Sequence, residues 1–183
     1  MALKTDIRGM AWPYPHPFVV GREDVRVFAA AVKATDPASH DDAAAAELGY
    51  SAVVASPTFP AIFAALIQRH FLSNVDLGMD EIQMIQVDQS FRYHRPIVAG
   101  DVLRGTMYVE SVNERFGADI VTTRSVCTDE HGETVLEATT TMMGRHEDMS
   151  EYLTWNASTG RHVRTPGWVG SNSAVASGAD VTG

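Results

Sequence analysis

The longest apolar run of the chain lies between Ser56 and Val75, and it constrains the fold more than any other feature. Alanines separate its large apolar residues, which are Phe59, Ile62, Phe63, Leu66, Ile67 and Leu72. A helix that is apolar on nearly every side must be buried in a core or in a membrane. A comfortable membrane span needs about 20 apolar residues, and this run is shorter. We therefore predict a buried central helix, capped by Thr58 with Pro60 in its first turn.

The segment that follows, Glu81 to Arg145, contains strand-like runs and no convincing second helix. We predict strands over residues 81–94, 102–112, 120–128 and 134–143, joined by turns at 95–101, 113–119 and 129–133. Strict alternation in the first of these predicts one face made of Ile85, Val87, Gln89, Phe91 and Tyr93. One helix followed by a long antiparallel sheet is an α+β layout, and a sheet curled around a single helix is the hot-dog fold.

The segment before the apolar run is predicted to contain both extended structure and helices. Three prolines within residues 1–17 favour extended structure. Helical spacing of apolar residues predicts a helix over residues 22–33. A second helix, Ala43 to Leu48, is predicted to be capped by Asp41 or Asp42 and to end at Gly49.

The length of 183 residues suits one domain with a tail. We predict a hot-dog domain over residues 1–150 and a partly docked extension over 151–170. The last segment, 171–183, consists of small and polar residues and cannot bury enough surface to offset its ordering entropy. We therefore predict that it is a disordered tail.

Charge and motifs limit the function. A formal net charge of −9 argues against nucleic-acid binding, which needs a basic face. The N-terminus has no apolar signal segment, so the default expectation is a cytoplasmic protein without membrane contact. The single cysteine, Cys127, cannot form an internal disulfide and is interpreted as a small buried strand residue. No phosphate loop or metal-ligand spacing is present, so no cofactor and no metal are predicted.

The loop from Ala34 to Asp42 is a candidate for catalytic groups, because loops between helices often carry them. Asp36 and His40 lie four residues apart and could form an acid–base pair that removes a proton next to a carbonyl. In the alternative interpretation, Asp36 and Asp41 are turn and cap residues and His40 is solvated. Composition alone favours this second interpretation.

Four stretches resemble a known family. They are VGREDVRVFAAAVK, AAAAELGY, IQVDQSFRYHRPIVAGD and FGADIVTTR. They look like the HadA/HadC-type subunits of mycobacterial (3R)-hydroxyacyl-ACP dehydratase, which are MaoC-like hot-dog proteins. The resemblance covers about residues 1 to 165. It implies dehydration of (3R)-3-hydroxyacyl chains on acyl carrier protein in type II fatty acid synthesis, where mycolic acid precursors are elongated.

The resemblance also implies a loss of catalytic residues. Active members carry a loop of the form D-x-N-P-L-H, and aligning its proline on Pro37 puts Ala34 and Ser39 at the positions of the catalytic Asp and His. Active members also place a His-Gly pair at the start of the central helix. The matching residues in this chain are Ser56 and Pro57. The resemblance therefore points to a non-catalytic subunit that pairs with a catalytic HadB-like subunit and receives its substrate from acyl carrier protein.

Under this interpretation the chain supplies a channel for the acyl tail. The expected substrate-binding residues come from the helix start and the facing strand: Pro57, Thr58, Phe59, Ala61, Ile62, Ala65, Ile85, Val87 and Gln89. Each could instead be an ordinary core residue. The alternative function is a self-sufficient homodimeric hot-dog hydratase or thioesterase that uses Asp36 with His40, or Asp88 with His94.

Overall fold

The computed structural model describes residues 3–79, 84–115, 118–144 and 153–164. The chain divides into two compact units, Met1–His146 and Glu147–Gly183. None of the helices in the described ranges has the length and hydropathy of a membrane-spanning helix.

Among the described residues, the first unit contains three α-helices and six strands. Its elements are β1 (Ala11–Pro13), β2 (Phe18–Val19), α1 (Arg22–Ala31), α2 (Asp42–Glu47), α3 (Ala61–Leu72), β3 (Ile85–Tyr93), β4 (Val102–Arg115), β5 (Ala118–Thr128) and β6 (Thr134–Gly144). The strands form an antiparallel sheet in the order β1-β4-β5-β6-β3, and β2 also pairs with β4. A curved antiparallel sheet that packs against one central helix is the predicted α+β hot-dog fold, and the prediction is confirmed.

Helix α3 packs against one face of this sheet. Its residues Phe63, Ala64, Ile67 and Phe71 are buried. Gly105 in β4 lies directly beneath the helix, and a Cβ at this position would overlap the side chain of Ile67. The absence of a side chain there lets the helix approach the sheet closely. The buried residues of β4, β5 and β6 alternate along each strand, and they complete the core around the helix.

The start of α3 differs from the prediction. The helix begins at Ala61 with Pro60 at the N-cap position, and no side chain caps it. Thr58 lies in the preceding turn, so its predicted capping role is wrong. The helix also keeps an exposed side, because Ile62 is 37% exposed and Ala65 is exposed as well. The apolar run is therefore not buried all round within this chain.

A bulge in β3 changes the predicted face of that strand. Gln86 pairs with Met142 and Asp88 pairs with Thr141, so Val87 has no partner in the ladder. Paired residues point to the same face, and Met142 faces α3 because its sulfur accepts a 3.1 Å hydrogen bond from Gln68 Nε2. The extra residue therefore puts Gln86 on the helix side and Ile85 on the outer side. The predicted single face from Ile85 to Tyr93 is wrong at its first residue.

Strands β4 and β5 are longer than predicted and include most of the predicted turn at 113–119. The hairpin turn at 129–133 is confirmed, and Gly132 adopts the expected positive φ of 82°. The predicted cap of α2 is also confirmed, since the Asp41 carboxylate accepts from the Ala44 N–H at 3.0 Å.

The second unit contains a β-hairpin that was not predicted. Its strands are β7 (Leu153–Asn156) and β8 (Arg161–Arg164). The Asn156 side chain organises the turn by accepting from the N–H groups of Ser158 and Thr159, at 3.0 and 3.2 Å. The predicted tail at 171–183 lies outside the described residues.

Candidate functional site

Three segments of the first unit enclose a pocket of about 630 Å³. They are the loop after α1, the segment before α3 and the end of β3 with its following turn. The lining residues are Ala34, Thr35, Asp36, Ser39, Val54, Ala55, Ser56, Pro57, Tyr93, His94, Arg95, Pro96 and Ile97. The volume is within the range of small-molecule sites.

Backbone hydrogen bonds hold the middle segment in place. The N–H of Val54 donates to the Ala38 carbonyl at 2.9 Å, and the N–H of Ala55 donates to the Ile97 carbonyl at 2.8 Å. The Asp42 carboxylate at the start of α2 accepts from the Val53 N–H at 3.0 Å. The segment is therefore fixed to both other walls, so the pocket is built by long-range contacts.

The loop Ala34 to Asp42 uses its two candidate catalytic residues for local structure. The Asp36 carboxylate accepts from the Ala38 N–H at 3.1 Å and caps the single 3-10 turn Pro37–Ser39. The His40 ring bonds to the Ala34 carbonyl through Nε2 at 2.8 Å and so closes the loop. Asp36 lines the pocket and His40 is not among its lining residues. The structure thus places the two side chains in separate interactions.

The four positions that the resemblance singled out all line this pocket. Ala34 and Ser39 come from the loop, and Ser56 and Pro57 from the segment before α3. Ser39 and Ser56 are buried, with 3% and 5% of their surfaces exposed. Pro57 has no N–H to offer to a ligand. This part of the wall therefore presents hydroxyl groups and apolar surface.

Tyr93 and His94 form the opposite wall. The Tyr93 hydroxyl donates to the Pro57 carbonyl at 2.5 Å, and partial burial raises the pKa of this phenol to about 12. His94 Nε2 lies 2.9 Å from Glu137 Oε1. The hydrogen bond from His94 lowers the pKa of the Glu137 carboxyl, and burial of that carboxyl opposes the change. His94 is thus the imidazole of the pocket, and a carboxylate orients it.

Arg95 is the cationic residue of the lining. Its guanidinium donates to both carboxylate oxygens of Asp101, at 2.8 and 3.0 Å, and Asp129 lies 3.6 Å away. The hydrogen bond to Asp101 raises the pKa of Arg95, and burial opposes the change. The positive charge is therefore already compensated inside the protein.

The expected substrate-binding residues are divided among three places. Pro57 lines the pocket of about 630 Å³ described above, here called the main pocket. Phe59 and Ile62 line a second groove of about 420 Å³, with Phe18, Asp24, Val27, Phe28 and Ala31. The others lie outside both: Thr58 and Ala65 are exposed, Ala61 and Gln89 are half-buried, and Ile85 and Val87 are 60% and 45% exposed.

Sequence reasoning missed Glu137. The sequence suggested Asp88 as the catalytic partner of His94. In the structure, Asp88 lies on the outer face of β3, opposite Thr141 in the strand ladder. Glu137 lies 43 residues from His94 and reaches it through the register of β3 and β6, in which Arg92 pairs with Glu137. Arg124 of β5 holds the other oxygen of Glu137 at 3.0 Å. No local signal in the sequence could have identified this pairing.

Among the described residues, no three histidine, cysteine, aspartate or glutamate side chains are grouped closely enough to hold a metal ion. Cys127 is buried in β5, and burial raises the pKa of its thiol to about 12. A thiol of this kind is not a nucleophile at neutral pH.

Two mycobacterial proteins are similar in sequence to this chain over most of its length. A UPF0336 protein of Mycobacterium tuberculosis is 53% identical over 165 residues, which are 90% of this chain and 99% of that protein. A UPF0336 protein of Mycobacterium leprae is 52% identical over the same shares.

Solved structures give the same result. A chain of the C-terminally truncated HadBC (3R-hydroxyacyl-ACP dehydratase) complex from Mycobacterium tuberculosis is 54% identical, with a TM-score of 0.72. The match covers 78% of this chain and 100% of that one. A MaoC-like dehydratase is 32% identical with a TM-score of 0.71, and the match covers 89% of this chain and 52% of that one. Residues 9–138 match the model of the FAS1-like dehydratase domain region. The chain therefore belongs to the FAS1-like dehydratase family, with the MaoC-like hot-dog fold.

Proposed function

We propose that this chain is the acyl-chain-binding, non-catalytic subunit of a heterodimeric (3R)-3-hydroxyacyl-ACP dehydratase. In this proposal it is of the HadC type, pairs with a catalytic HadB-like subunit in the cytoplasm, and takes its substrate from acyl carrier protein. The pathway would be type II fatty acid synthesis of mycolic acid precursors. The 54% identity to a chain of the HadBC complex supports this assignment.

The observation that carries the proposal is the composition of the main pocket. Dehydration at a thioester needs a group that moves a proton and a donor that polarises the carbonyl. By the resemblance, the positions that would supply them are Ala34, Ser39 and Pro57, which line this pocket. The neighbouring Asp36 and His40 are engaged in loop structure, by hydrogen bonds of 3.1 and 2.8 Å. In the proposal, the partner subunit supplies the catalytic groups.

The free edge of the sheet supports pairing with another subunit. Strand β3 pairs with β6 on one side and ends the strand order of the described sheet. It exposes Ile85 and Val87, by 60% and 45%. An exposed apolar edge strand is an association hazard unless another chain covers it. In the proposal, the partner adds its sheet to this edge.

The exposed side of α3 supports the acyl channel. Ile62 is 37% exposed, and Ala61 and Ala65 leave room along the same helix. These residues, with Thr58, Phe59, Val87 and Gln89, would contact the acyl chain once a partner covers them. Each methylene buried in such a channel contributes about 0.8 kcal/mol. Ile85 lies on the outer side of the bulge and would contribute only at the partner interface.

The experiment is a comparison of the chain alone with the reconstituted heterodimer. Hydration of a crotonyl thioester should be measurable with the HadB-like partner and absent without it. His40→Gln in this chain should change the activity of the heterodimer by no more than about twofold. If His40 were a catalytic base, the substitution would lower the activity by typically 10²–10⁴-fold. Turnover by the isolated chain would refute the proposal.

A second candidate function is a self-sufficient hydratase or thioesterase. One observation favours it: His94 lines the pocket and is oriented by Glu137 at 2.9 Å, as a general base would be. If this second function is correct, the isolated chain converts the substrate. Both His94→Gln and Glu137→Gln should then abolish its activity. The two functions thus predict opposite results for the isolated chain.

A further inference from the structure

The second groove, which is lined by α1, β2 and the start of α3, differs in composition from the main pocket. It encloses about 420 Å³, a volume within the range of small-molecule sites. Its lining consists of three phenylalanines, three aliphatic residues and one carboxylate: Phe18, Phe28, Phe59, Val27, Ala31, Ile62 and Asp24. None of these side chains is cationic or carries a hydroxyl or N–H donor. The groove therefore combines an aromatic lining with a single negative charge.

The three phenylalanines form a connected group. The ring centroids of Phe28 and Phe59 lie 5.5 Å apart at an interplanar angle of 87°, and those of Phe18 and Phe59 lie 6.3 Å apart at 54°. Phe59 is 1% exposed, whereas Phe18 and Phe28 are only half-buried and keep accessible surface. The face of an aromatic ring attracts a cation within about 6 Å of its centroid, and groups of such rings recognise quaternary ammonium ions.

Asp24 supplies the charge of the groove. Its carboxylate is exposed and has no hydrogen-bond or ion-pair partner in the part of the chain that the structure describes. The neighbouring charges on α1 are compensated, because Arg26 pairs with Glu23 at 3.1 Å and Arg22 pairs with Asp42. The N-terminus of α1 carries about half a positive charge, which the full charge of the Asp24 carboxylate exceeds. The groove is therefore electrostatically complementary to a cation.

The lining distinguishes between classes of cation. A primary ammonium carries three N–H donors, and a single carboxylate leaves some of them to water that the apolar walls displace. A quaternary ammonium has no N–H donor, and its methyl groups bury apolar surface against the aromatic and aliphatic walls. Lys33 does not oppose such an ion, because it lies about 13 Å from Asp24 along the direction of α1, beyond the screening length of about 8 Å.

We propose that the second groove binds a small quaternary ammonium ion, with the Asp24 carboxylate as its counter-ion and Phe18 and Phe28 as its aromatic contacts. This ligand is a cation, whereas the acyl chain of the proposed function is uncharged. The two sets of contact residues share only Phe59 and Ile62. The inference does not rest on the proposed function, because its test uses this chain alone and measures binding instead of turnover.

The test is an NMR titration of the full chain, labelled with ¹⁵N, against choline and its neutral isostere 3,3-dimethylbutan-1-ol. Choline should shift the amide resonances of residues 24–31 and of Ile62, and it should bind at least fivefold more tightly than the isostere. Asp24→Asn should weaken choline binding by three- to tenfold and leave binding of the isostere unchanged. Glu23→Gln is the matched control, since this neighbouring carboxylate is paired with Arg26 and lies outside the groove.

Further variants test the walls of the groove. Ala31→Phe fills the groove from α1 and should abolish the shifts. Ala30→Phe places the same ring at an exposed position of α1 outside the groove and should leave them unchanged. Phe28→Leu should weaken choline binding more than binding of the isostere, because leucine preserves the apolar contact and removes the aromatic face.

Three results would overturn the proposal. Equal affinity for choline and the isostere would show that the groove does not recognise the charge. Equal weakening of choline binding by Asp24→Asn and Glu23→Gln would show that choline responds only to the net charge of the surface. Tighter binding of butylammonium than of choline would assign the groove to a primary ammonium, such as a lysine side chain of another protein.

Discussion

The Tyr93 hydroxyl donates a 2.5 Å hydrogen bond to the carbonyl of Pro57. This bond joins the end of the edge strand β3 to the segment that precedes α3. Two residues that are 36 positions apart in sequence thereby close one side of the main pocket. The strand and the helix start are the two elements that carry most of the proposed acyl-binding residues.

Tyr93→Phe should lower the free energy of unfolding by about 1 kcal/mol, because a typical hydrogen bond contributes about 0.5–1.5 kcal/mol and exposed Pro57 can bond to water instead. Tyr108→Phe is the matched control. Its ring lies 5.3 Å below the Arg124 guanidinium, and phenylalanine preserves that contact. Chemical denaturation measures both. Equal losses in the two variants would show that the Tyr93 bond has no particular role.

Gly105→Ala should destabilise the fold by about 1–3 kcal/mol, since the new methyl group overlaps Ile67 and overpacking has costs of this size. Combining it with Ile67→Val should give a loss smaller than the sum of the single losses. Gly21→Ala is the control, because its new methyl group meets the exposed Asp24 carboxylate, which can rotate away. Thermal denaturation of the four variants measures the coupling, and simple additivity would contradict the close approach of helix and sheet.

Val87→Lys should abolish co-purification with the HadB-like partner, because it places a charge on the exposed apolar edge of β3. The isolated wild-type chain should self-associate, and the same substitution should reduce this. Val27→Lys, on α1, is the control, since Val27 is 67% exposed and lies away from the edge. Size-exclusion chromatography measures both the loss of the complex with the partner and the reduced self-association. A wild-type chain that stays monomeric at high concentration would contradict the role of the edge.

Ala61→Phe should reduce the activity of the reconstituted heterodimer more for long acyl chains than for short ones. The substitution adds a ring at the start of α3, where Ala61 is half-buried, and it would shorten a channel along the helix. Some loss of stability is expected in any case, about 1–3 kcal/mol. The measurement is kcat/KM across a series of chain lengths. A uniform loss would place Ala61 in the core and the channel elsewhere.

Stability should fall at alkaline pH. Burial raises the pKa of the Cys127 thiol from 9.0 to about 12, so the folded chain holds this proton more tightly than the unfolded chain. The resulting stabilisation is complete below pH 9 and is lost as the pH rises from 9 towards 12. A difference of one in pKa corresponds to about 1.4 kcal/mol. The raised pKa of Tyr93 likewise makes the stability fall as the pH rises above 10.

Cys127→Ala isolates the thiol contribution. It should make the decline between pH 9 and pH 12 shallower, whatever its effect on stability at neutral pH. Urea denaturation across this pH range is the measurement. An unchanged slope would mean that the thiol does not titrate differently in the folded and unfolded chains.

Local chemistry determined much of the fold from the sequence. The spacing of Val25 and Ala29 predicted α1, Asp41 predicted the cap of α2, and Gly132 predicted the hairpin turn, because each depends on residues within one or two turns of the chain. The strand-like runs at 120–128 and 134–143 likewise predicted β5 and β6. These features follow from backbone geometry and side-chain period alone.

Tertiary structure decided the features that depend on register and close approach. The bulge at Val87 turned Ile85 to the outer side, although the local pattern was strictly alternating. The pairing of β3 with β6 brought Glu137 to His94 across 43 residues. Hydrogen bonds from the segment before α3 to two distant loops set the pocket around Ser56. Sequence periodicity fixes which face a residue shares with its neighbours, but only the packed sheet fixes which strand lies opposite and where the ladder slips by one residue.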